Sequence, residues 1–174
     1  VVLLPLVLPP VVGGVALLTA FGRRGLLGQY LYDWFGIQLP FSTAGVVMAE
    51  AFVAMPFLVL TVEGALRGID PRFEMAARTL GASPRTVFFR ITMPMISASL
   101  IAGIVLAWAR ALGEFGATIT FAGNFPGVTQ TLPLAVYSAL EVSRDEALAL
   151  SLVLLAVSLT VLISLRGRFL GSRS

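Results

Sequence analysis

The chain has 174 residues, of which 57% are apolar and only 12% are charged, and its formal net charge is +3. This composition excludes an ordinary soluble domain and is typical of a single membrane domain of about four helices. Because the arginines cluster at the ends of apolar runs, we expect no nucleic-acid partner. The absence of cysteine and histidine excludes a disulfide framework, a thiol nucleophile and the usual ligands of zinc, copper and haem, so we expect no cofactor.

The first predicted membrane span is residues 1–21, an apolar run that prolines and a glycine pair interrupt. Proline lacks a backbone N–H, so the freed carbonyls need neighbouring protein or water as partners. Two interpretations are open: a kink or a helix that begins only at Pro10, or a bent helix that faces the bundle interior near a gate. The run has neither an initiator methionine nor a signal-peptide pattern, so we expect the natural protein to begin earlier, with at least one further span.

The next two segments are a connector and a second span. Residues 22–42 combine aromatic and charged side chains, which predicts a short helix at the membrane surface. Residues 43–62 are rich in small residues and form the second predicted span, with Ser42 or Thr43 as its cap. Glu50 lies within this span, where a carboxylate normally faces protein or a wet cavity. We do not assign it as an anion ligand, because its own charge repels an anion.

Residues 67–93, here called the elbow, separate the second and third predicted spans and contain two short helix patterns. Asp70, followed by proline, predicts the start of the first helix, and Gly81 predicts its left-handed end. Ser83, also followed by proline, predicts a second helix, which we expect to end before the apolar run that opens at Pro94. The outward face is basic: Arg72, Arg78, Arg85 and Arg90. It fits either a cytoplasmic connector whose arginines only fix orientation or a docking surface for a soluble partner.

Six residues in and beside the elbow stand at a characteristic spacing: Glu74, Ala76, Ala77, Gly81, Ile91 and Pro94. At this spacing they resemble the EAA loop of binding-protein-dependent ABC importer permeases, with Met75 and Met93 as departures from the family's alanine and leucine. The resemblance implies an all-α, polytopic transmembrane helix bundle with a cytoplasmic coupling elbow that inserts into ABC ATPase subunits. It also implies that Glu74 pairs with a basic group of the ATPase.

The third predicted span is residues 94–115, whose length matches a hydrocarbon core of about 30 Å. Arg110 and Glu114 stand one helical turn apart near its far end, so we expect them to pair. Two roles are open: an interfacial ion pair with Arg110 snorkelling outward, or a place in the translocation path, where Arg110 faces a passing anion. The string ARALGEFGATITFAGN resembles the molybdate branch of the permease family, whereas sulfate permeases diverge after the shared ALGEFG core.

The remaining sequence predicts an outer loop and a last span. Residues 122–144 contain turn formers and a short helix, 132–140, for which Thr131 is the candidate cap. The last predicted span is residues 146–165, and a capping-box pattern that starts at Ser143 precedes it.

The orientation follows from the arginines, because the chain has no lysine. With the elbow inside, the eight inner arginines are Arg67, Arg72, Arg78, Arg85, Arg90, Arg166, Arg168 and Arg173, and the four outer ones are Arg23, Arg24, Arg110 and Arg144. This excess on the inner side favours a cytoplasmic elbow.

The absence of lysine also excludes a phosphate-binding loop, so a separate ATPase must supply the energy. We predict a transport subunit and not an enzyme. The resemblance implies a homodimeric oxyanion permease, for molybdate, surrounded by lipid in the bacterial inner membrane and served by a periplasmic substrate-binding protein. Three alternatives are open: a sulfate or thiosulfate permease, an ion-coupled secondary transporter, which usually shows paired repeats, and a membrane scaffold or sensor without transport.

Overall fold

The computed structural model describes residues 2–170 of the chain, and the side chains of residues 2–163. Within this part of the chain the regular elements are helices and no strand occurs, which confirms the predicted all-α class. Three helices are long and apolar enough to cross a membrane: Thr43–Arg67, Pro84–Leu112 and the Arg144–Ile163 part of the last helix. The inner arginines Arg166, Arg168 and Arg173 lie outside the residues whose side chains are described.

The chain divides into two compact units: Val1–Ala54 with Trp108–Ser174, and Met55–Ala107. The larger unit begins with helices α1 (Leu4–Val7) and α2 (Pro10–Phe21). Leu8 and Pro9 each precede a proline and both have extended backbone, so the helix is interrupted there. This run therefore forms two helices, α1 and α2, separated by a break at Leu8 and Pro9.

Helix α2 packs closely on α8 (Gly116–Phe121). A Cβ atom on Gly14 would lie 2.7 Å from the Thr120 Cβ and 2.9 Å from the Ala117 carbonyl oxygen, so glycine is required for this approach. The core of this unit joins α2 and α8 to the first half of α4 (Thr43–Arg67): Leu17, Ala49, Val53, Ala117 and Phe121.

Helix α3 (Gly28–Phe35) occupies the connector, where a short surface helix was predicted. Its aromatic residues Trp34 and Phe35 are exposed. The Arg23 guanidinium lies 4.1 Å from the centre of the Tyr32 ring and donates to the Tyr32 hydroxyl at 2.7 Å. The stacked arginine fixes the loop between α2 and α3.

Hydroxyl caps begin two of the later helices but not a third. Ser42, rather than Thr43, caps α4, because its Oγ accepts a backbone N–H three residues on at 3.1 Å. The Ser143 Oγ does the same at 3.4 Å for α10 (Arg144–Leu170). The predicted Thr131 cap is wrong: α9 (Leu132–Val142) begins there, but the Thr131 hydroxyl is buried and has no partner among the described residues. Pro133, in the second helical position, lacks one of the two N–H groups that a capping hydroxyl usually accepts.

The smaller unit contains the elbow as two arms. The first arm is α5 (Pro71–Thr79). The second arm begins with α6 (Pro84–Val87) and continues without interruption through a π-helical turn (Phe88–Thr92) into α7 (Met93–Leu112). The expected helix end before Pro94 is therefore not observed. The Met93 N–H bonds to the Phe88 carbonyl five residues back, and the widened turn accommodates the proline that follows.

Candidate functional site

The ends of the elbow helices are fixed by the predicted caps. The Asp70 carboxylate accepts the Arg72 N–H at 2.9 Å at the start of α5. Gly81 follows the end of α5 with a φ of +82°, the left-handed conformation that the sequence predicted. The Ser83 Oγ accepts the Thr86 N–H at 3.3 Å and starts α6. These local contacts give the bend a defined shape.

Glu74 connects the two arms of the elbow. Its Oε1 accepts a hydrogen bond of 2.7 Å from the Thr92 hydroxyl, and its Oε2 lies 3.8 Å from the Arg78 guanidinium. Thr92 is buried, with 6% exposure, whereas the Glu74 side chain remains 33% exposed. No local pattern indicates the Thr92 contact, because 18 residues separate the partners. Glu74 is thus both part of the elbow's internal structure and accessible from outside.

The six residues predicted for ATPase coupling occupy four places in the elbow region. Glu74, Ala76 and Ala77 lie on α5, and Gly81 lies just beyond its end. Ile91 lies in the π-turn, and Pro94 lies in the first turn of α7. The elbow therefore keeps the first four together and places the last two on the second arm.

The surface of the elbow is apolar as well as basic. Phe73, Met75 and Phe89 are exposed, and Leu80 is 89% exposed. The predicted basic face (Arg72, Arg78, Arg85 and Arg90) is also exposed. Exposed apolar side chains surrounded by polar ones are typical of a protein-binding surface.

The second candidate site is the predicted pair of Arg110 and Glu114, in the larger unit. Their side chains form an ion pair of 2.7 Å, which confirms the expected contact. Glu114 is only 1% exposed, and its other oxygen accepts the Ala117 N–H at 2.8 Å. Arg110 is 29% exposed. The carboxylate is therefore a buried link between the end of α7 and the start of α8, and the guanidinium reaches the surface.

Glu50, on α4, lies within electrostatic range of Glu114. The two carboxylates and the Arg110 guanidinium make a mixed charge cluster. Among the described residues, no group of three histidine, cysteine, aspartate or glutamate side chains could hold a metal ion. The Arg110–Glu114 ion pair and the hydrogen bond from the Ala117 N–H are the described polar contacts of this cluster.

Comparison with known proteins gives a match over nearly the whole chain. Residues 1–173 match the sequence profile of the family described as binding-protein-dependent transport system inner membrane component. The chain is 53% identical to the molybdenum transport system permease protein ModB of Mycobacterium tuberculosis over 167 residues, which are 96% of this chain and 63% of that protein. It is 50% identical to the Escherichia coli K12 protein of the same name over 159 residues, 91% of this chain and 69% of the relative.

A relative with a different named substrate is more distant. The sulfate transport system permease protein CysT of Salmonella typhimurium is 39% identical over 163 residues, which are 93% of this chain and 58% of that protein. The chain therefore spans somewhat less than two thirds of the length of the M. tuberculosis and S. typhimurium relatives.

Proposed function

The chain belongs to the family of binding-protein-dependent transport system inner membrane components, and on this premise we propose that it is the permease part of an ATP-driven molybdate importer. Family membership confirms the predictions of a helical inner-membrane protein and of a transport component. The identity of 53% to a relative named for molybdenum transport, against 39% to one named for sulfate transport, supports molybdate as the substrate. The proposed partners are cytoplasmic ATPase subunits, a periplasmic substrate-binding protein and a second copy of the permease.

The exposed surface of the elbow is the observation that carries the coupling role. Leu80 is almost fully exposed at the end of α5, where none of the described side chains covers it. Next to it, Gly81 supplies the sharp bend. The Glu74 Oε2 makes only a long contact with Arg78, so it is available to a basic group of a docked ATPase. We assign coupling to the six predicted residues: Glu74, Ala76, Ala77, Gly81, Ile91 and Pro94.

The elbow also gives the ATPase a mechanical route into the membrane. Its second arm is the beginning of one helix that runs from Pro84 to Leu112. Movement of α6 is therefore transmitted to α7 without an intervening flexible joint. Its first arm, α5, follows the end of α4 after only three residues, 68–70, so the same movement reaches a second membrane helix.

We further propose that Arg110 and Glu114 line the translocation path. Arginine has five N–H donors in a planar array that suits oxyanions. The described contacts of Arg110 are with Glu114 alone, and its partial exposure leaves other donors accessible. Glu114 holds the guanidinium in place from its buried position. Glu50 is not assigned as a ligand, since its charge would repel the oxyanion.

Reconstitution of the complete transporter with its ATPase and binding protein tests this function. We expect ATP-dependent uptake of molybdate in preference to sulfate. Preferred sulfate uptake would favour the sulfate alternative, and uptake by the permease without any ATPase would favour a secondary transporter.

Two elbow variants test the docking role. Glu74→Arg and Gly81→Asp should abolish ATP-coupled uptake while the protein stays in the membrane. Glu74→Arg should also reduce the amount of ATPase that co-purifies, because it places a positive charge opposite the basic partner. Glu141→Arg, the same reversal at an exposed residue of α9, is the matched control for co-purification. Normal uptake by both elbow variants would contradict the proposal.

A further inference from the structure

We propose that the hydrogen bond between Glu74 and Thr92 is a strut that fixes the angle between the two arms of the elbow, so that Thr92 is a positioning residue for coupling. The inference rests on the proposed function, because the angle matters only if an ATPase moves the elbow. It assigns a role to Thr92, a residue outside the motif that the sequence analysis identified.

The geometry of the contact supports a mechanical role. The arms are joined by residues 80–83, a short turn whose bend depends on Gly81. Helix α5 packs against α6 and the π-turn, but the aromatic side chains of these elements, Phe73, Phe88 and Phe89, are only partly buried. The 2.7 Å bond from the buried Thr92 hydroxyl to a carboxylate is charge-assisted, and such bonds are stronger than neutral ones. The strut therefore adds a directional restraint to a lightly packed bend.

The π-turn determines that Thr92 faces Glu74. A π-turn contains one residue more than an α-helical turn, and one extra residue rotates the following side chains by about 100° around the helix axis. Thr92 is the last residue of this turn, two positions before Pro94. Without the extra residue, the side chains from this point on would be rotated by about that angle relative to α6. The strut therefore depends on the irregular turn.

The two oxygens of Glu74 have separate tasks in this arrangement. Oε1 accepts the hydrogen bond from Thr92, and Oε2 makes only the 3.8 Å contact with Arg78, on a side chain that is 33% exposed. A basic group of the ATPase that binds Oε2 pulls on the same carboxylate that holds Thr92. A force applied by the ATPase to Glu74 is thus transmitted through the Thr92 hydrogen bond to the second arm. This route is additional to the covalent connection through the turn.

Substitutions at Thr92 separate the strut from docking. In the complete transporter, Thr92→Val removes the donor and keeps the side-chain shape. We expect normal co-purification and turnover of the ATPase, but about tenfold less molybdate carried per ATP, the factor that corresponds to one lost charge-assisted hydrogen bond. Thr92→Ser should restore the ratio. Thr79→Val is the matched control, since the Thr79 hydroxyl bonds only to carbonyls of its own helix, at 2.8 and 3.0 Å.

A distance measurement tests the strut without any ATPase. The 174 residues contain no cysteine, so spin labels on Arg72→Cys and Arg85→Cys report the separation of the two arms. Thr92→Val should broaden this distance distribution, and Thr79→Val should not.

Two results would overturn the strut: wild-type transport ratio and distance distribution in Thr92→Val, or loss of ATPase co-purification from that variant, which would make Thr92 a docking residue. If the wild-type transporter carries no molybdate, the proposed function fails, and the distances still decide the strut.

Discussion

Glu74 and Glu114 use the same contacts in two different surroundings. Each carboxylate faces an arginine four positions away in the sequence and accepts a second hydrogen bond, from the Thr92 hydroxyl in one case and the Ala117 N–H in the other. The two carboxylates differ in how far they are exposed to solvent. Glu114 is buried to 99% and sits 2.7 Å from its arginine, whereas Glu74 is one-third exposed and its arginine lies 3.8 Å away.

This comparison separates a carboxylate that stabilises the fold from one that is available to a partner. Breaking a buried pair leaves a charge without solvent or counter-ion, which is costly, while exposed pairs contribute little. The i,i+4 spacing is the same in both places, so spacing alone does not reveal the role. Burial determines it.

The largest expected effect is at the buried pair. Arg110→Ala leaves Glu114 buried without its partner, so we expect the free energy of unfolding in detergent to fall by about 3–5 kcal/mol. Arg110→Lys keeps the charge and should lose less. Equilibrium unfolding of the purified permease checks this. If Arg110→Ala were as stable as wild type, the Glu114 carboxylate would not depend on the guanidinium, and the contrast with Glu74 would disappear.

A smaller effect is expected where α2 meets α8 near the buried pair. Gly14→Ala places a Cβ 2.7 Å from the Thr120 Cβ, so α2 must move away, at a cost of about 1–3 kcal/mol. Gly64→Ala is the matched control, because nothing lies within 4 Å of a Cβ at that position of α4. The same unfolding measurement applies to both. Equal stability of the two variants would show that the helices tolerate a wider separation.

The elbow should respond in function more than in stability. Gly81→Ala forces an alanine into the left-handed conformation, which costs about 1–2 kcal/mol, with no added clash because no atom lies within 4 Å. Gly81→Asn should cost less, since asparagine tolerates this conformation. Unfolding and molybdate uptake measured on the same preparations compare the two variants. A loss of uptake equal in both variants would point to side-chain size at the docking surface and not to the bend.

The smallest effect is expected at the exposed partner of Glu74. Arg78→Ala removes an arginine from a pair that water screens, so the free energy of unfolding should change by less than about 1 kcal/mol. This is the direct counterpart of Arg110→Ala. A loss as large as at Arg110 would show that the elbow pair is as important to the fold as the buried one.

Sequence reasoning succeeded where the determining contacts are local. The caps at Asp70 and Ser83, the bend at Gly81 and the Arg110–Glu114 pair all involve residues within four positions of each other, so the pattern contains the whole interaction. The all-helical membrane fold follows in the same way from long apolar runs.

Sequence reasoning failed where a contact or a backbone change lies beyond that range. The Glu74–Thr92 hydrogen bond joins residues that are 18 positions apart, and no local sequence pattern around either residue indicates it. Pro94 was predicted to mark a helix boundary, but the π-turn before it accommodates a residue without a backbone N–H, and the helix continues. The burial of Glu114 could not be predicted either, because it depends on helices from distant parts of the chain.

The continuous helix also explains where its irregular turn can exist. Helix α7 alone has 20 residues, and at about 1.5 Å per residue it is about 30 Å long, which equals the thickness of the lipid hydrocarbon layer. With α7 filling that layer, the turn from Phe88 to Thr92 falls among headgroups and water. There, a carbonyl left without a proline N–H can be hydrated, whereas among acyl chains it would be left bare. Bilayer thickness thus limits where along a membrane-spanning helix an irregular turn of this kind can lie.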